Sequence, residues 1–433
     1  MRERVEHVSR FLALRYLRPK RSFVLAITMI SVLGVLLGVW ILTAAVAIMT
    51  GYEKRIRENV LGYQPHLTIA QNDSGVLYQW PDVVQKVRQN SKVLAATPFS
   101  FGQVGLDFDG QLEVVQLQGI DPEPGPMQER LERLLVRDNH GLRKGTFDLS
   151  GDNAVVGKAL AERLEIKVGD SIVLYSLANG RQLLDAQRTG NKPSELILPI
   201  ELKVVGIFTA GRYEYDRENL FVPLEIGQRL YNLGPGAHGV AVLLKNPYVA
   251  AAVRDELVKV VREPLTVMTW MEKFREEFEQ FAMERVVMYT ILLVIVVVAG
   301  FSMTNTMITI TTQKRREIGL IAALGGRPDQ IVGIFLVQGL VVGLLGVVLG
   351  FGAAMTFLAA RQGALEFLRK TLGMEIFSPE VYSLYQLPAK VTIMDLTVIS
   401  AIALLACGFA SLIPAYLAAR MDAAKALRNE SSG

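Results

Sequence analysis

The residue types that carry enzyme chemistry are present in this chain, but their spacing does not suit it. The four histidines, His7, His66, His140 and His238, are scattered, and none has a second ligand at metal-binding spacing. The sequence contains neither a G-x-x-x-x-G-K-[ST] loop, which would hold ATP phosphates, nor a G-x-S-x-G nucleophile turn. Its acidic residues follow the pattern of surface charges. We therefore expect no catalysis and no metal site in this chain.

The most specific pattern is a short basic segment at residues 313–330, QKRREIGLIAALGGRPDQ. Ile318, Ile321 and Ala322 fall on one face of a predicted short helix, which a pair of glycines ends. An apolar patch on a basic helix suits docking to another protein. The same composition suits a loop lying on lipid headgroups, and composition alone does not separate the two.

Four long stretches without Asp, Glu, Lys or Arg must position this segment. They are 22–52, 286–313, 330–360 and 396–419. A helix of about 20 apolar residues crosses the hydrocarbon layer of a bilayer, and each stretch is long enough. We predict four transmembrane helices, with a large domain, 53–285, between the first two.

The basic residues beside the spans predict the orientation. Segments 1–21, 314–329 and 420–433 together hold 14 basic and six acidic residues, whereas 53–285 holds 28 basic and 32 acidic. Loop 361–395 holds four of each. By the positive-inside rule, both termini and 314–329 are cytoplasmic, and the large domain and loop 361–395 are outside. The pI of about 9.0 therefore reflects membrane flanks, and no nucleic-acid partner is expected.

The large domain has the pattern of a mixed α/β fold, with apolar runs bounded by Gly, Asp and Pro. The predicted strands are 66–70, 93–97, 104–108, 112–120, 171–175, 196–207, 219–222 and 240–244. The predicted helices are 82–89, 158–164, 224–231 and 248–261. Helical extensions at 51–61 and 271–284 join the domain to the first and second spans. The segment 1–21 is predicted to be an amphipathic interfacial helix, with a plain basic anchor as an equal alternative.

Small and hydroxyl residues mark the spans. Glycines four apart predict close helix packing. They are Gly34/Gly38, Gly339/Gly343 and Gly346/Gly350. The hydroxyls clustered near the end of the second span are expected to bond a neighbouring helix or their own backbone. Because no ionisable residue lies in mid-span, the sequence disfavours proton- or ion-coupled transport. The single cysteine, Cys407, is predicted to be a packing residue.

Residues 314–326 resemble the signature loop of the FtsX-like/MacB-type permeases of ABC transporters, and 413–430 resemble the closing motif of that family. Further stretches are similar to its lipoprotein-releasing branch, the LolC/LolE permeases. These stretches are Ala13–Arg18, Met49–Arg55, Leu117–Asp121, Val155–Ala161 and Tyr382–Pro388.

The resemblance implies a four-span membrane protein with a periplasmic α/β domain, located in the bacterial inner membrane. It implies a non-catalytic permease that pairs with a second permease subunit, identical or paralogous, over two copies of a separate ATPase that holds ATP and Mg. A lipoprotein would leave the membrane lipid and pass to a periplasmic carrier. Segment 314–326 would be the coupling helix. The expected coupling residues are Lys314, Arg315, Arg316, Glu317, Ile318, Gly319, Ile321, Leu324 and Gly325.

In LolC-like members a hairpin of the external domain captures the carrier, and segment 176–195 corresponds to it by position. The residues expected to dock a carrier there are Arg181, Leu183, Leu184 and Pro193. Two alternatives have the same fold and a different function. One is a MacB-like export pump, and the other is an FtsX-like signalling subunit that controls a periplasmic hydrolase. A third is an ion-coupled transporter or sensor without an ATPase.

Overall fold

A computed structural model describes residues 22–71, 75–138, 141–177, 197–261, 264–372 and 384–420. These residues form two compact units. The first, here called the membrane unit, contains the described residues up to Glu53, from Gln280 to 372 and from Leu387 onward. The second, called the head, contains the described residues of Lys54–Glu279 together with 384–386. Segment 1–21 and nearly all of the tail 420–433 lie outside the described residues.

The helices and strands are numbered in chain order over the described residues. The helices are α1 (Ser22–Tyr63), α2 (Trp80–Arg88), α3 (Pro126–Glu132), α4 (Lys158–Leu164), α5 (Tyr213–Glu218), α6 (Leu224–Leu230), α7 (Ala250–Val260), α8 (Trp270–Lys273), α9 (Arg275–Gln313), α10 (Arg315–Ala323), α11 (Pro328–Leu372) and α12 (Ile393–Ala419). The strands are β1 (Leu67–Gln71), β2 (Val93–Phe108), β3 (Gln111–Ile120), β4 (Asn153–Gly157), β5 (Ser171–Ser176), β6 (Ile200–Phe208), β7 (Asn219–Pro223), β8 (Gly239–Leu244) and β9 (Leu265–Thr269).

Four helices, α1, α9, α11 and α12, are long and apolar enough to cross a membrane, and they contain the four predicted spans. Helix α1 continues past the first span, as predicted. Helix α11 continues from the predicted end at 360 to Leu372. The added turns are rich in helix-forming residues, and Lys370 pairs with Glu366 one turn away, at 2.8 Å.

The paired glycines of α11 let it approach two neighbouring helices of the membrane unit. A Cβ atom at Gly346 would lie 2.6 Å from the Cβ of Val35 on α1. One at Gly343 would lie 3.0 Å from the Cβ of Cys407 on α12. Side chains at these positions would hold the helices apart, so the glycines permit the close packing on which helix association in lipid depends. The predicted role of the α11 glycines and of Cys407 is confirmed. At Gly34 and Gly38 of α1 a Cβ would make only ordinary contacts, at 3.9 and 3.7 Å, so the close approach predicted there is not found.

The hydroxyl groups of the second span are bonded within the membrane unit. Ser31 Oγ donates to Thr306 Oγ1 at 2.6 Å, which joins α1 to α9. Thr304 Oγ1 donates to the carbonyl of Ala410 on α12 at 3.1 Å. Thr311 Oγ1 donates back to the carbonyl of the residue four positions earlier in its own helix, at 2.7 Å. Both predicted kinds of partner, a neighbouring helix and the local backbone, are therefore found.

The described strands of the head form one mixed sheet in the order β3-β7-β4-β6-β5-β2-β8-β1-β9, with a further pairing of β3 to β2. That pairing closes six strands, β2, β3, β7, β4, β6 and β5, into a ring. Strand β2 serves both parts of the sheet. Its first half, Val93–Phe99, pairs with β8, and its second half, Val104–Asp107, pairs with β5.

The ring encloses the main apolar core of the head. Inward side chains alternate along each strand, because successive residues of a strand point to opposite faces. Among the buried residues of this core are Val104, Leu106, Val115, Leu117, Val156, Ile172, Leu174, Leu202, Val204, Leu220 and Val222.

The first and last strands of the head, β1 and β9, are antiparallel neighbours, and Leu67 pairs with Thr269 at one end of their ladder. Just beyond that end, the amide of Trp270 donates to the carbonyl of His66 at 3.1 Å. Lys273 Nζ donates to Gln64 Oε1 at 2.9 Å. These contacts join the chain where it leaves α1 to the chain where it approaches α9.

The end of α1 is capped from within the head by Arg130 of α3. Its guanidinium donates to the carbonyls of Gly62 at 3.1 Å and of Gln64 at 2.8 Å, and also to that of Leu61. These carbonyls have no partner inside the helix, and a cation is favourable at a helix C-terminus. Burial lowers the pKa of Arg130 to about 10, so the group stays charged at neutral pH.

The sequence predictions for the head differ from the structure in six elements. The two strands predicted at 93–97 and 104–108 are one strand, β2, which changes partner where Pro98 and Gly102 suggested a break. Four elements were not predicted: β4, β9, α3 and α5. The predicted helical extension 271–284 is interrupted at Phe274, between α8 and α9. Of the predicted hairpin 176–195, residues 178–195 lie outside the described residues.

Candidate coupling site

The basic segment predicted to dock a partner forms helix α10 of the membrane unit. Backbone hydrogen bonding continues from α9 into α10, because Lys314 N donates to Ile310 O and Ile318 N donates to Lys314 O, both at 2.9 Å. The Lys314 Nζ and Glu317 Oε1 atoms are 2.6 Å apart. The predicted helix is therefore present and follows α9 with almost no intervening loop.

Helix α10 ends through a glycine cap, as the glycine pair predicted. Leu324 N donates to Leu320 O at 3.0 Å, and Gly326 N donates to Ile321 O at 2.9 Å. Between them Gly325 has φ of +88°, a conformation that L side chains rarely adopt. A side chain at Gly325 would strain this turn, so the glycine fixes the angle at which the chain enters α11.

The predicted apolar face of α10 packs inside the membrane unit. Ile318 is only 5% exposed, and its cluster includes Met307 of α9, Phe335 of α11 and Ala415 of α12. Ile321 is half-buried against the same cluster. Ile318 and Ile321 therefore hold α10 against its own bundle, and the docking role expected for α10 stays a prediction. Helical periodicity showed which residues share a face and gave no information on what that face contacts.

The opposite face of α10, here called the outer face, combines two leucines with charged groups. Leu320 is 56% exposed and Leu324 is 82% exposed. Arg315, Arg316 and Glu317 are exposed, whereas Gly319 is buried. Leu320 and Leu324 lie one turn apart, with Arg316 and Glu317 on the same side of the helix, so this surface can bind a groove that is apolar at its base and charged at its rim.

The head contains a buried carboxylate that the sequence analysis missed. Asp216 of α5 is fully buried, and its carboxylate accepts hydrogen bonds from Thr209 Oγ1 at 2.6 Å, Ala210 N at 2.6 Å and Tyr385 OH at 2.9 Å. Burial raises the pKa of Asp216 to about 6. The expectation that acidic residues lie at the surface is wrong here. The available signal was the aromatic run around Asp216, Tyr213-Glu-Tyr-Asp.

A second polar contact, which is half-buried, joins the two helices that flank the head. Arg212 NH1 lies 3.2 Å from Glu277 Oε2 near the start of α9, and donates to Tyr63 OH at the end of α1 at 3.4 Å. Burial raises the pKa of Tyr63 to about 12, so this phenol is neutral at physiological pH. The sequence analysis did not single out these residues.

The other predicted site residues have simpler surroundings. His66 Nδ1 accepts from Leu244 N at 2.9 Å, and His238 Nδ1 accepts from Phe101 N at 3.0 Å, so both histidines serve the backbone. Over the described ranges, no group of three or more His, Cys, Asp and Glu residues could hold a metal ion. The residues predicted to dock a carrier lie outside the described residues. They are Arg181, Leu183, Leu184 and Pro193.

Family comparisons match both parts of the chain. A family model described as MacB-like periplasmic core domain matches residues 28–260. One described as FtsX-like permease C-terminal matches residues 289–423. The first match alone covers more than half of the chain, and the second contains α10.

Two curated relatives align over nearly the whole length. The Neisseria meningitidis serogroup B protein named lipoprotein-releasing system transmembrane protein LolC is 28% identical over 97% of this chain and 99% of its own. The Haemophilus influenzae protein named lipoprotein-releasing system transmembrane protein LolE is 26% identical over 96% of this chain and 98% of its own. Among solved structures, the match to the periplasmic region of MacB from Actinobacillus actinomycetemcomitans covers 52% of this chain and 97% of that chain, with 14% identity and a TM-score of 0.33.

The fold and the site define a membrane protein with four spanning helices among its described residues and a mixed α/β head inserted between the first two. Its short helix α10 links the second and third of these helices. The chain belongs to the family of permeases with a MacB-like periplasmic core domain and an FtsX-like C-terminal part.

Proposed function

We propose that this chain is the permease subunit of an ATP-driven transporter that extracts lipoproteins from the bacterial inner membrane and passes them to a periplasmic carrier. The observation that carries the proposal is the alignment, over 97% of this chain, with a relative named as a lipoprotein-releasing transmembrane protein. Extracting an acyl chain from a bilayer costs about 0.8 kcal/mol per CH₂ group, so such a subunit needs an external source of energy.

In this proposal ATP and Mg belong to a separate ATPase, present in two copies, and a second permease subunit completes the membrane part. Both termini and α10 are cytoplasmic, in keeping with the positive charge of segments 1–21, 314–329 and 420–433. The head and loop 361–395 are periplasmic. ATP binding draws the two ATPase copies together, and each pushes on the α10 helix that it contacts.

The packing of α10 suits this task. Because Ile318 and Ile321 fix the helix to α9, α11 and α12, a push on Leu320 or Leu324 moves the bundle instead of bending α10 alone. In this proposal the outer face of α10 contacts the ATPase. The opposite side, which contains Ile318 and Ile321, transmits the force to the spanning helices.

The membrane unit contains a small apolar cavity of about 30 Å³. This cavity, between α1, α9 and α12, is lined by small and branched residues, among them Gly38, Ile295, Gly300 and Ala403. In the proposal a lipoprotein enters sideways between the first and second spans, and this lining offers its acyl chain a surface as apolar as lipid.

The test of the proposed function is a substitution on the outer face. Leu324→Glu, in a complex with the co-expressed ATPase in proteoliposomes, should lower lipoprotein release to a soluble carrier by about tenfold or more, since it places a charge in an apolar contact. The matched control is Leu142→Glu, which makes the same change at an exposed leucine of the head. Release per unit time and ATP hydrolysis are measured together.

A result in which Leu324→Glu releases lipoprotein as fast as Leu142→Glu would contradict the role of α10. Gly319 is a poor site for this test, because it is buried and a larger side chain there would disturb packing directly. If the unmodified complex hydrolyses ATP and releases no lipoprotein, the proposed substrate is wrong.

A further inference from the structure

Three parts of the chain that connect to the spanning helices meet one short segment of the head, residues 209–218. We propose that this segment, here called the junction, couples the head ends of α1 and α9 to the ring of strands, and that its contact with Tyr385 sets how much of their movement reaches the head. The inference rests on the proposed function, because it assigns the residues through which the work of transport passes.

The first connection is to α1. Asn59 Nδ2 donates to the carbonyl of Gly211 at 2.9 Å, and the ring centroids of Tyr63 and Tyr215 are 3.9 Å apart. Gly211 has φ of +77°, and a Cβ there would lie 2.9 Å from the Asn59 side chain. The backbone of the junction therefore lies directly against α1, with no room for a side chain between them.

The second connection is to α9, through Arg212. Its guanidinium contacts Glu277 near the start of α9 and the Tyr63 hydroxyl at the end of α1. The Arg212 side chain is 13% exposed and the Glu277 side chain is 38% exposed, so this ion pair is half-buried. One side chain of the junction thus links the two helices.

The third connection is to the loop between α11 and α12. Tyr385 OH donates to Asp216, and the Tyr385 ring receives the Lys158 ammonium at 4.7 Å from its centroid. The neighbouring Leu384 is 2% exposed. This part of the second external loop is consequently packed into the head as one of its core elements.

The junction is also fixed to the ring of strands. Gln118 Nε2 of β3 donates to Tyr215 OH at 2.6 Å. A Cβ at Gly157, the last residue of β4, would lie 2.0 Å from the carbonyl oxygen of Asp216. The backbone between β4 and α4 therefore packs directly against the junction. Movement of α5 must therefore displace β3 and β4.

Through these contacts, α1, α9 and the loop between α11 and α12 all exert force on the junction. Hydrogen bonds and ion pairs are directional, so a rotation of α1 or α9 that keeps Asn59 and Arg212 bonded must turn α5 with it. Tyr385 opposes that turn, because breaking its bond leaves the buried Asp216 carboxylate short of a donor. Asp216 and Tyr385 are thus positioning residues for transport, and neither contacts a substrate in this arrangement.

The first experiment measures docking of the loop without measuring transport. Leu384→Cys is introduced into a Cys407→Ala background of the full complex, since Cys407 is the only cysteine of the chain, and maleimide labelling is followed at pH 8, where Asp216 is ionised. Labelling should be slow in this parent and about tenfold faster or more after Asp216→Ala. Asp216→Asn should label at nearly the parent rate, because its amide group can donate to the oxygens of Thr209 and Tyr385 while its carbonyl still accepts from Ala210.

Hydrogen exchange of the peptide that covers 209–218 is the second measurement and needs no introduced cysteine. Tyr385→Phe should raise its exchange rate about tenfold. The matched control is Tyr248→Phe, which removes a hydroxyl from a tyrosine that is 61% exposed in the same head. That control should leave the exchange rate unchanged.

The third measurement addresses coupling in proteoliposomes with the ATPase. Tyr385→Phe should lower lipoprotein release per ATP hydrolysed by about fivefold to tenfold while ATP hydrolysis stays within about twofold of the unmodified complex. Tyr248→Phe should change neither quantity.

The proposal is overturned if Leu384→Cys labels quickly in the parent, or if Tyr385→Phe speeds exchange yet leaves release per ATP unchanged. A merely structural role predicts that ATP hydrolysis and release fall together as the complex is lost, which would also overturn it. If the unmodified complex releases no lipoprotein, the proposed substrate fails, and the labelling and exchange results still decide whether the junction exists.

Discussion

The membrane unit and the head are each stabilised from within, and the kinds of internal contact differ between them. In the membrane unit, α11 reaches α1 and α12 through glycines, and its polar contacts are hydroxyl bonds such as that between Ser31 and Thr306. In the head, a closed ring of strands encloses an apolar core, and two charged groups lie beside it: Asp216, which is fully buried, and Arg130, which is half-buried.

The difference follows from the two surroundings. Lipid gives helices no hydrophobic reason to associate, so the membrane unit depends on close fit and small residues. Water drives the head to bury apolar area, and the stability gained there offsets the burial of a few charges. Changes of side-chain size should therefore damage the membrane unit most, and changes of charge or pH should damage the head most.

The largest expected effect is a change of size in α11. Gly346→Leu should destabilise the protein by about 3 kcal/mol or more, because its side chain must displace Val35 of α1. The thermal midpoint in detergent checks this. Gly352→Leu is the matched control, since a Cβ at Gly352 meets no atom within 4 Å. Equal thermal midpoints for the two variants would contradict the claim that close glycine packing stabilises the membrane unit.

A smaller effect concerns protonation of His66 in the head. Burial, with a lesser contribution from the nearby Arg130, lowers the pKa of His66 from 6.5 to about 4. Between these values the unfolded chain binds a proton that the folded head does not. The head should therefore lose stability as pH falls below 6.5, by about 2 kcal/mol at pH 5.

The measurement is urea unfolding followed by tryptophan fluorescence at pH 7.5 and pH 5.0, for the wild type and for His66→Asn. The Asn carbonyl can accept from Leu244 N without titrating, so the variant should lack this loss. Asp216, whose raised pKa acts in the opposite direction, is common to both proteins and cancels in the comparison. An equal pH dependence in both would show that His66 is not the group responsible.

The smallest effect is expected for the hydroxyl pair of the membrane unit. A double-mutant cycle of Ser31→Ala and Thr306→Val should give a coupling energy of about 0.6 kcal/mol, the usual size for a polar contact between spanning helices. Thermal midpoints of the four proteins provide the cycle. A coupling energy larger than the stability lost in Gly346→Leu would show that polar contacts stabilise this unit more than its glycine packing does.

The features that could be predicted from the sequence are those written in local patterns. The spans follow from uncharged runs long enough to cross a bilayer, and α10 follows from a helical run with a glycine pair at its end. The glycines of α11 indicated close packing because their spacing alone puts them on one face. The mixed sheet followed from short apolar runs between turn residues, although its ring closure did not.

The features that could not be predicted depend on contacts between distant residues. The buried Asp216 accepts a hydrogen bond from Tyr385, which lies 169 positions away. The direction of Ile318 depends on helices from three other parts of the chain, so helical periodicity alone could not assign it to the interior. Strand β2 was divided in two because Pro98 and Gly102 usually end a strand, whereas here the strand continues by changing partner.

The neighbouring positions of β1 and β9 have a mechanical consequence. Both strands meet their flanking helices at the same end of the ladder, where Leu67 faces Thr269. A force that separates α1 from α9 there would peel the ladder open one residue pair at a time, which is the weakest direction in which an antiparallel pair can be loaded. The bond from Trp270 to His66 and that from Lys273 to Gln64 lie where peeling would begin. These two hydrogen bonds must break before α1 and α9 can separate at this end, so the two helices are expected to rotate together first.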